Sequence, residues 1–358
     1  MIECAEGMEK VGWEAKLIGP EIFGGELIGI NAYRVALKEY LLKEADQYDV
    51  IEYEHNRIIE ARSVFPSRPL MVGRVSIFSF RDDLPQIPRF SGFKRTLSRS
   101  IRSFFKRGEE AREKEMSHQS ILNAELLNVA NEADRLQMIR KGVDPKRIVV
   151  FPYGICERRR PLFDQIESAA PREARVVFIG TFDERKGGVD LPRIFSRIQK
   201  RVPNIKFRLL GTAGMFQTKA EVRGFFPSQV QANLEVIPRY QPEELMGYLA
   251  DCSIGVFPSY FESFGFGVLE MLAASIPVIA YRAPGPPMML KEEGLVNSGD
   301  WRGMADKAVQ WLSDFTELER LREIAKERSQ EFDWNLIAQR TGDCYLQKIN
   351  RSKTEKNS

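Results

Sequence analysis

The sequence predicts an α/β protein built from two doubly wound domains, each with a parallel sheet covered by helices. The chain has 358 residues, which suits two domains of about 150 to 200 residues better than one. Short apolar runs alternate with longer stretches of helical period, the pattern of parallel α/β units. The short runs are apolar almost throughout, as expected for strands that helices cover on both faces.

The first half of the chain contains four predicted strands and two predicted helices. The strands are placed at residues 14–19, 48–54, 69–78 and 147–152, and the helices at 32–48 and 121–142. Residues 156–174 carry charge and prolines without an apolar period, which is typical of a linker. The boundary of the N-terminal domain, 1–165, is therefore predicted near residue 165.

The second half restarts the same alternation. Strands are predicted at residues 175–180, 205–211, 234–238, 252–259 and 277–281, and helices at 189–202, 242–251, 267–275 and 304–315. These elements form a predicted C-terminal domain of residues 166–335. Residues 336–358 are predicted to be a C-terminal helix and tail.

Composition excludes several classes of protein. Hydrophobic residues make up 43% and charged residues 29% of the chain, which is globular composition, and the net charge of +3 is too small to indicate a nucleic-acid binder. The four cysteines are scattered without a Cys-x-x-Cys pair, so we expect a reduced protein without a structural zinc site.

The N-terminal residues and the hydropathy predict a cytoplasmic protein. Glu3, Glu6 and Glu9 stand where a signal peptide needs an apolar run. No stretch approaches the roughly 18 to 20 apolar residues that span a bilayer. The only membrane contact left open is peripheral attachment at the inner face of the cell membrane.

The most informative stretch is PSYFESFGFGVLEM, in which a strand ends, a loop follows and a helix begins. Ligands of doubly wound sheets bind beyond the carboxyl ends of strands, and a glycine-rich loop with a helix N-terminus suits a diphosphate. Glu262 lies in the loop and Glu270 about one turn inside the helix. Their carboxylates can accept hydrogen bonds from the hydroxyl groups of a nucleotide-sugar.

A second stretch, VVFIGTFDERKGGVD, leads from a strand through Gly180 to Arg185 and Lys186 at the start of a helix. Two cations at a helix N-terminus repel each other unless they share an anion, which favours a phosphate site. The alternative is that both are solvated surface residues beside Asp183 and Glu184, and the stretch taken alone favours that alternative.

Together and in this order, the two stretches resemble the retaining nucleotide-sugar glycosyltransferases of the GT-B fold, the glycosyl transferases group 1. In that family a Glu-x7-Glu motif, here Glu262 to Glu270, ends a strand–loop–helix unit. A basic residue from the first such unit of the same domain binds the diphosphate, and Lys186 matches it. Residues 239–259, 275–290 and 333–347 are also similar to family segments. The resemblance implies two Rossmann-like domains facing a cleft, with the acceptor on the N-terminal side.

The resemblance also implies a role for each site residue. Glu262 and Lys186 would be catalytic, Glu262 at the transferred sugar and Lys186 at the leaving diphosphate. Glu270 would hold ribose hydroxyls. The remaining donor-binding residues would be Gly180, Thr181, Arg185, Phe264, Gly265, Phe266 and Gly267. No metal and no cofactor are expected, because preorganised cations and N–H groups stabilise the charge on the diphosphate.

The N-terminal domain departs from the family pattern. The family begins with a strand and a Gly-rich loop, whereas this sequence begins inside what resembles the following helix, so the domain is expected to lack its first strand. Either the chain is truncated or another segment fills the gap. The family histidine that follows an Arg-x pair is replaced by Ser76 after Arg74-Val75. His55 follows the predicted strand at residues 48–54, where it either faces the cleft or is a polar residue at a strand end.

Residues 90–107 form a basic segment. It contains Lys and Arg but no acidic residue, and four of its apolar residues share one helical face: Phe93, Leu97, Ile101 and Phe104. Such a helix fits an anionic membrane surface, and a core-packed helix with a solvated basic face fits equally well. Nucleic acid is not an expected partner, because no recognition motif accompanies the charge.

Three functions remain open at the level of sequence. The first is a retaining transferase that moves a sugar from a nucleoside diphosphate sugar to a cell-envelope glycan or a lipid-linked acceptor. The second is a nucleotide-sugar epimerase on the same fold, which would need no acceptor. The third is a catalytically impaired protein that binds a nucleotide-sugar without turnover.

Overall fold

In the computed structural model the described residues are 2–23, 29–78, 81–90, 112–164 and 174–356. The chain folds into two compact units. The first unit comprises Met1–Asp82, Phe93–Tyr153 and Trp334–Ser358, and the second comprises Asp83–Gly92 and Gly154–Asp333. The chain passes between the units at residues 153–154 and 333–334, whereas the predicted limits lie at residues 165 and 335.

The first unit contains a parallel sheet of four strands within the described residues, in the order β1-β2-β3-β4. The strands are β1 (Val50–Glu54), β2 (Leu70–Val75), β3 (Leu126–Val129) and β4 (Ile148–Val150). The helices are α1 (Ile2–Lys10), α2 (Ile30–Glu44), α3 (residues 112–123), α4 (Glu132–Arg140) and α13 (Trp334–Lys356). Within the part of the chain that is described, no strand precedes Val50.

Two predictions for the first unit are wrong. Residues 14–19 form no strand, because their side chains are half-buried or exposed, whereas a strand of a parallel sheet is buried on both faces. Residues 121–142 are not one helix, since the fully buried strand β3 separates the end of α3 from α4. The helix α4 begins after Asn131, whose side chain accepts the N–H of Asp134, and this N-cap was the available signal for the break.

Among its described residues, the second unit contains a parallel sheet of six strands in the order β10-β9-β8-β5-β6-β7. The strands are β5 (Arg175–Ile179), β6 (Lys206–Leu210), β7 (Leu234–Ile237), β8 (Ile254–Phe257), β9 (Val278–Tyr281) and β10 (Leu295–Val296). Its helices are α5 (Arg160–Asp164), α6 (Leu191–Arg201), α7 (Lys219–Arg223), α8 (Ser228–Gln231), α9 (Leu245–Leu249), α10 (Phe266–Ala273), α11 (Trp301–Ser313) and α12 (Phe315–Gln330). The strands and helices predicted for this half are confirmed.

The core of the second unit explains these elements. Leu191, Ile194, Phe195 and Ile198 recur at helical spacing along α6 and are fully buried with Phe207 of β6. Helix α11 packs against α6, while α10 packs against β5, β8 and α12. The sheet is thereby sandwiched between helices, as the apolar strand runs predict.

Candidate donor site

The loops that follow β5 and β8 meet at one edge of the second sheet. These two strands are neighbours, β6 and β7 extend the sheet beyond β5, and β9 and β10 extend it beyond β8. The order of the strands therefore reverses between β5 and β8. In doubly wound sheets, ligands bind at the carboxyl ends of the strands at such a reversal.

The β8 loop ends at Gly265, the N-cap residue just before α10. Its backbone φ of 99° lies in the left-handed region, which a residue with a Cβ rarely adopts. Next to it, Phe264 and Gly267 are buried, and the side chain of Phe266 is exposed. The first N–H groups of an α-helix have no partner within the helix and carry partial positive charge. The N-terminus of α10 is therefore suited to binding an anion.

The β5 loop is held by Asp183. One carboxylate oxygen of Asp183 accepts the N–H of Lys186 at 2.8 Å, and the other accepts the hydroxyl of Thr181 at 2.6 Å. Gly187 has a φ of 76°, and a Cβ there would overlap the carbonyl oxygen of Pro258 on the β8 loop. The two loops are thus in backbone contact, which sets the distance between their side chains.

Lys186 and Glu262, which are 76 residues apart, form an ion pair between the two loops. The side chain of each is 14% exposed. Arg185 lies 3.7 Å from the same carboxylate oxygen of Glu262 and donates to the carbonyl of Phe261 at 3.1 Å. The structure therefore brings together two cations and a carboxylate at the point where a donor diphosphate and its sugar are expected.

A buried acid that the sequence analysis missed supports both loops. Asp190, at the N-terminus of α6, accepts the hydroxyls of Tyr260 at 2.6 Å and Tyr281 at 2.9 Å. Burial, together with Asp190, raises the pKa of both tyrosine hydroxyls, so each stays protonated and donates. Asp190 thereby fixes the β8 loop two residues before Glu262.

Glu270 faces a different part of the site. Its carboxylate accepts a hydrogen bond from Arg159 at 2.6 Å, and both residues line an open pocket of about 580 Å³. Gly211, after β6, and Tyr240, after β7, line the same pocket. Burial, with a contribution from Glu270, raises the pKa of Tyr240. Arg159 was missed because it falls in the predicted linker, where a run of three arginines has no local pattern that indicates a site.

In the first unit His55 is a buried residue at the end of β1. One ring nitrogen lies 2.7 Å from the hydroxyl of Ser117, and the other 3.1 Å from the carboxylate of Glu54. The hydroxyl of Ser76 also donates to Glu54, at 2.6 Å. This arrangement agrees with the interpretation of His55 as a polar residue at a strand end.

The predicted membrane segment, residues 90–107, lies outside the described residues except for Phe90. Across the described parts of the chain, the longest apolar helical windows fall short of what a membrane crossing requires. The expectation that the reaction needs no metal or cofactor stays a prediction, as do the roles of the individual site residues.

Residues 160–328 match the model of the family described as glycosyl transferases group 1. The second unit is a glycosyl transferases group 1 domain. Two curated relatives to which this chain is similar are D-inositol 3-phosphate glycosyltransferases. The one from Streptomyces griseus is 27% identical over 250 residues, covering 62% of this chain and 52% of the relative. The one from Corynebacterium efficiens is 27% identical over 266 residues, covering 69% and 63%. The chain therefore spans between half and two thirds of the length of these relatives.

Solved structures similar to this chain show the same fold. Anabaena Alr3699/HepE in complex with UDP superposes with a TM-score of 0.66 at 16% identity, covering 87% of this chain and 82% of that one. WaaG, a glycosyltransferase involved in lipopolysaccharide biosynthesis, superposes with a TM-score of 0.63 at 12% identity, covering 96% and 94%. The GT-B fold implied by the sequence resemblance is confirmed.

Proposed function

We propose that the protein transfers a sugar, with retention of configuration, from a nucleoside diphosphate sugar to a cell-envelope glycan or a lipid-linked acceptor. The observation that carries the proposal is the ion pair between Lys186 and Glu262 at the reversal of strand order. A carboxylate beside two cations can accept sugar hydroxyls while the cations neutralise a diphosphate. A UDP complex of a structural neighbour supports a uridine nucleotide as the donor.

The geometry gives each group a task in this reaction. Lys186 and Arg185 would hold diphosphate oxygens, and the N–H groups at the start of α10 would share the charge that develops as the sugar leaves. Glu262, released from Lys186 when the diphosphate binds, would accept hydrogen bonds from the sugar. Glu270 would accept ribose hydroxyls in the pocket that also contains Tyr240.

The proposal places the enzyme in the cytoplasm, next to the membrane from which a lipid-linked acceptor or an envelope glycan is built. The neighbour WaaG is described as involved in lipopolysaccharide biosynthesis, which supports a glycan of that general kind. Peripheral attachment through residues 90–107 is part of the same proposal.

The proposal is tested first by ligand binding to the Lys186→Ala variant. We expect UDP, but not uridine, to raise the melting temperature of the wild type, since a ligand that binds the native state stabilises it by mass action. Loss of Lys186 should weaken UDP binding by about 1.5 to 3 kcal/mol, the range for hydrogen bonds to a charged group. The measurement is a thermal-shift titration against the nucleotides UDP, GDP and ADP, with uridine as the ligand that lacks the diphosphate.

Lys200→Ala is the matched control, because Lys200 is an exposed lysine at the end of α6, away from both loops. It should bind UDP as the wild type does. Failure of all three nucleotides to shift the melting temperature, or equal binding by the Lys186 and Lys200 variants, would refute the assignment of the donor site. Retention is read from the anomeric configuration of the product.

A further inference from the structure

A short segment of the first half of the chain belongs to the second unit. Residues 83–90, here called the crossover segment, fold with the second unit, although the chain up to Asp82 and from Phe93 belongs to the first unit. The crossover segment ends at Phe90. Periodicity and composition do not predict that the crossover segment joins the second unit, because its placement depends on contacts with residues more than 90 positions away.

The ring of Phe90 is part of the aromatic core of the second unit. It stacks on Phe182 with the ring centres 5.5 Å apart, and it contacts Phe225 at 4.6 Å and Phe216 at 5.5 Å. Aromatic pairs at these distances add attraction to the burial of apolar surface. The crossover segment is therefore anchored at its last residue.

Phe90 also touches the loop that carries Lys186, at three places. Its N–H donates to the carboxylate of Glu184 at 3.0 Å. Its ring lies against Gly188, where an added Cβ would come within 3.0 Å of the Phe90 ring, and it stacks on Phe182 as described above. Residues 182, 184 and 188 bracket Lys186 on both sides along the chain.

Hydrogen bonds within the loop and from the β8 loop add to these contacts, among them the N–H of Tyr260, which donates to the carbonyl of Arg185 at 2.9 Å. Within the loop, Asp183 accepts the N–H of Lys186 through its side chain and the N–H of Gly188 through its carbonyl, each at 2.8 Å. Helix α6 begins only at Leu191. A lysine that must meet a diphosphate in a fixed place needs a backbone held in place by neighbouring contacts.

We propose that Phe90 is a positioning residue of the donor site, which fixes the loop of Lys186 through Glu184, Phe182 and Gly188. The inference rests on the proposed function for its effect on nucleotide binding. Its structural part, the restraint of the loop by the crossover segment, can be measured without nucleotide.

The first test compares Glu184→Ala with Glu184→Gln. Both variants remove the same negative charge, but only glutamine keeps an oxygen that can accept the N–H of Phe90. We expect UDP to bind the alanine variant roughly three- to tenfold more weakly than the glutamine variant, the effect of one lost hydrogen bond. If Glu184 acted through its charge alone, both variants would bind the anionic nucleotide equally, and more tightly than the wild type.

The second test is amide hydrogen exchange in the absence of nucleotide. The N–H groups of Lys186 and Gly188 should exchange severalfold faster in Glu184→Ala than in Glu184→Gln, because the loop opens locally when its restraint is lost. Equal exchange in the two variants would overturn the proposal. A difference in exchange without UDP binding by any variant would keep the positioning role and refute the proposed function instead.

The ring of Phe90 is tested against a neighbour in the same cluster. Phe90→Ala should raise the Kd for UDP, and Phe90→Leu, which refills part of the space, should restore most of the affinity. Phe225→Ala removes a ring that packs on Phe90, Phe182 and Phe216 in the same cluster but supplies no hydrogen bond to Glu184 in place of the Phe90 N–H. An increase in Kd equal to that of Phe90→Ala would assign the effect to general loss of packing and overturn the positioning role.

Discussion

The ion pair of Lys186 and Glu262 has two features that a purely structural surface pair lacks. Each side chain is only 14% exposed, and a second cation, Arg185, lies 3.7 Å from the same carboxylate oxygen. Two cations that meet at one carboxylate oxygen also offer donors to an anionic ligand. A diphosphate that takes over Lys186 would release Glu262 toward the sugar.

Glu262→Gln tests whether Glu262 acts on the sugar while Lys186 binds the diphosphate. We expect transfer to fall by at least about a hundredfold, the effect of removing one preorganised group at a reacting centre. UDP binding should be retained or improved, because Lys186 loses its competing carboxylate. Transfer is measured with a UDP-sugar, and binding by titration calorimetry.

The exposed residue Glu243 provides a control for the loss of one carboxylate. Glu243→Gln should leave both transfer and binding unchanged. Wild-type turnover by the Glu262 variant would remove this residue from the mechanism.

Gly187→Ala tests the contact between the two loops. The left-handed φ of 76° costs an alanine about 1 to 3 kcal/mol, and the added Cβ would also overlap the carbonyl of Pro258. We therefore expect lower stability together with weaker UDP binding.

Gly247→Ala is the opposite case. Gly247 lies in α9 with nothing within 4 Å of the added Cβ, so the alanine should stabilise the folded protein by about 0.5 to 1 kcal/mol. Equal effects of the two substitutions in chemical denaturation would contradict the strain argument.

Among the elements, helix α13 is held on the first sheet by a buried charged group. Arg74 of β2 donates to Glu52 of β1 at 2.6 Å, and the hydroxyl of Tyr345 on α13 donates to the same carboxylate at 2.7 Å. Burial opposes the charge of Glu52, but Arg74 overrides it and holds the pKa of Glu52 below its usual value. Arg74 therefore supports the packing of α13 through Glu52.

Tyr345→Phe is expected to destabilise the first unit by about 1 to 3 kcal/mol, because a buried carboxylate loses one of its donors. The measurement is the denaturant midpoint for the first unit, with hydrogen exchange along α13 to locate the effect. Lys348→Ala, three residues further on, removes an exposed hydrogen bond to the Lys146 carbonyl and should leave the midpoint unchanged. A midpoint for Tyr345→Phe equal to the wild type would show that α13 does not depend on this contact.

At the scale of the whole molecule, the open prediction concerns residues 90–107. If this basic segment lies on an anionic surface, binding to vesicles that contain phosphatidylglycerol should fall steeply as salt is added, since each basic side chain near the surface contributes about 1 kcal/mol. Vesicles of phosphatidylcholine alone should bind weakly. Changing the four predicted surface cations to glutamine should release the protein from the vesicles: Arg95, Arg99, Arg102 and Lys106.

A matched control removes four exposed cations of the second unit, namely Lys200, Lys219, Lys291 and Arg302. The variant of the basic segment and this control carry the same net charge, so equal loss of vesicle binding would assign the effect to overall charge.

Replacing Phe93 and Phe104 distinguishes a membrane-bound segment from a core-packed one. Loss of binding at an unchanged melting temperature indicates insertion, whereas a large drop in melting temperature indicates core packing.

Local signals in the sequence determined most of the second unit. Its strands are short apolar runs, its helices carry their apolar residues at helical spacing, and the loops before α6 and α10 follow directly from strand ends. The fold class and the positions of Glu262, Glu270 and Lys186 could therefore be predicted. Each depends on residues within one strand–loop–helix unit, where sequence neighbours are also neighbours in space.

Tertiary structure decided which of these residues meet. It placed Lys186 on Glu262 across 76 residues, and Arg159 on Glu270 across 111. It also brought Phe90 to Glu184, and Tyr345 to Glu52 across 293 residues. Strand β3 lay hidden in a stretch of helical period for the same reason, since only pairing with β2 and β4 favours the extended conformation there. Such contacts depend on how the elements pack against one another, and packing between distant elements cannot be predicted from a short segment of the sequence.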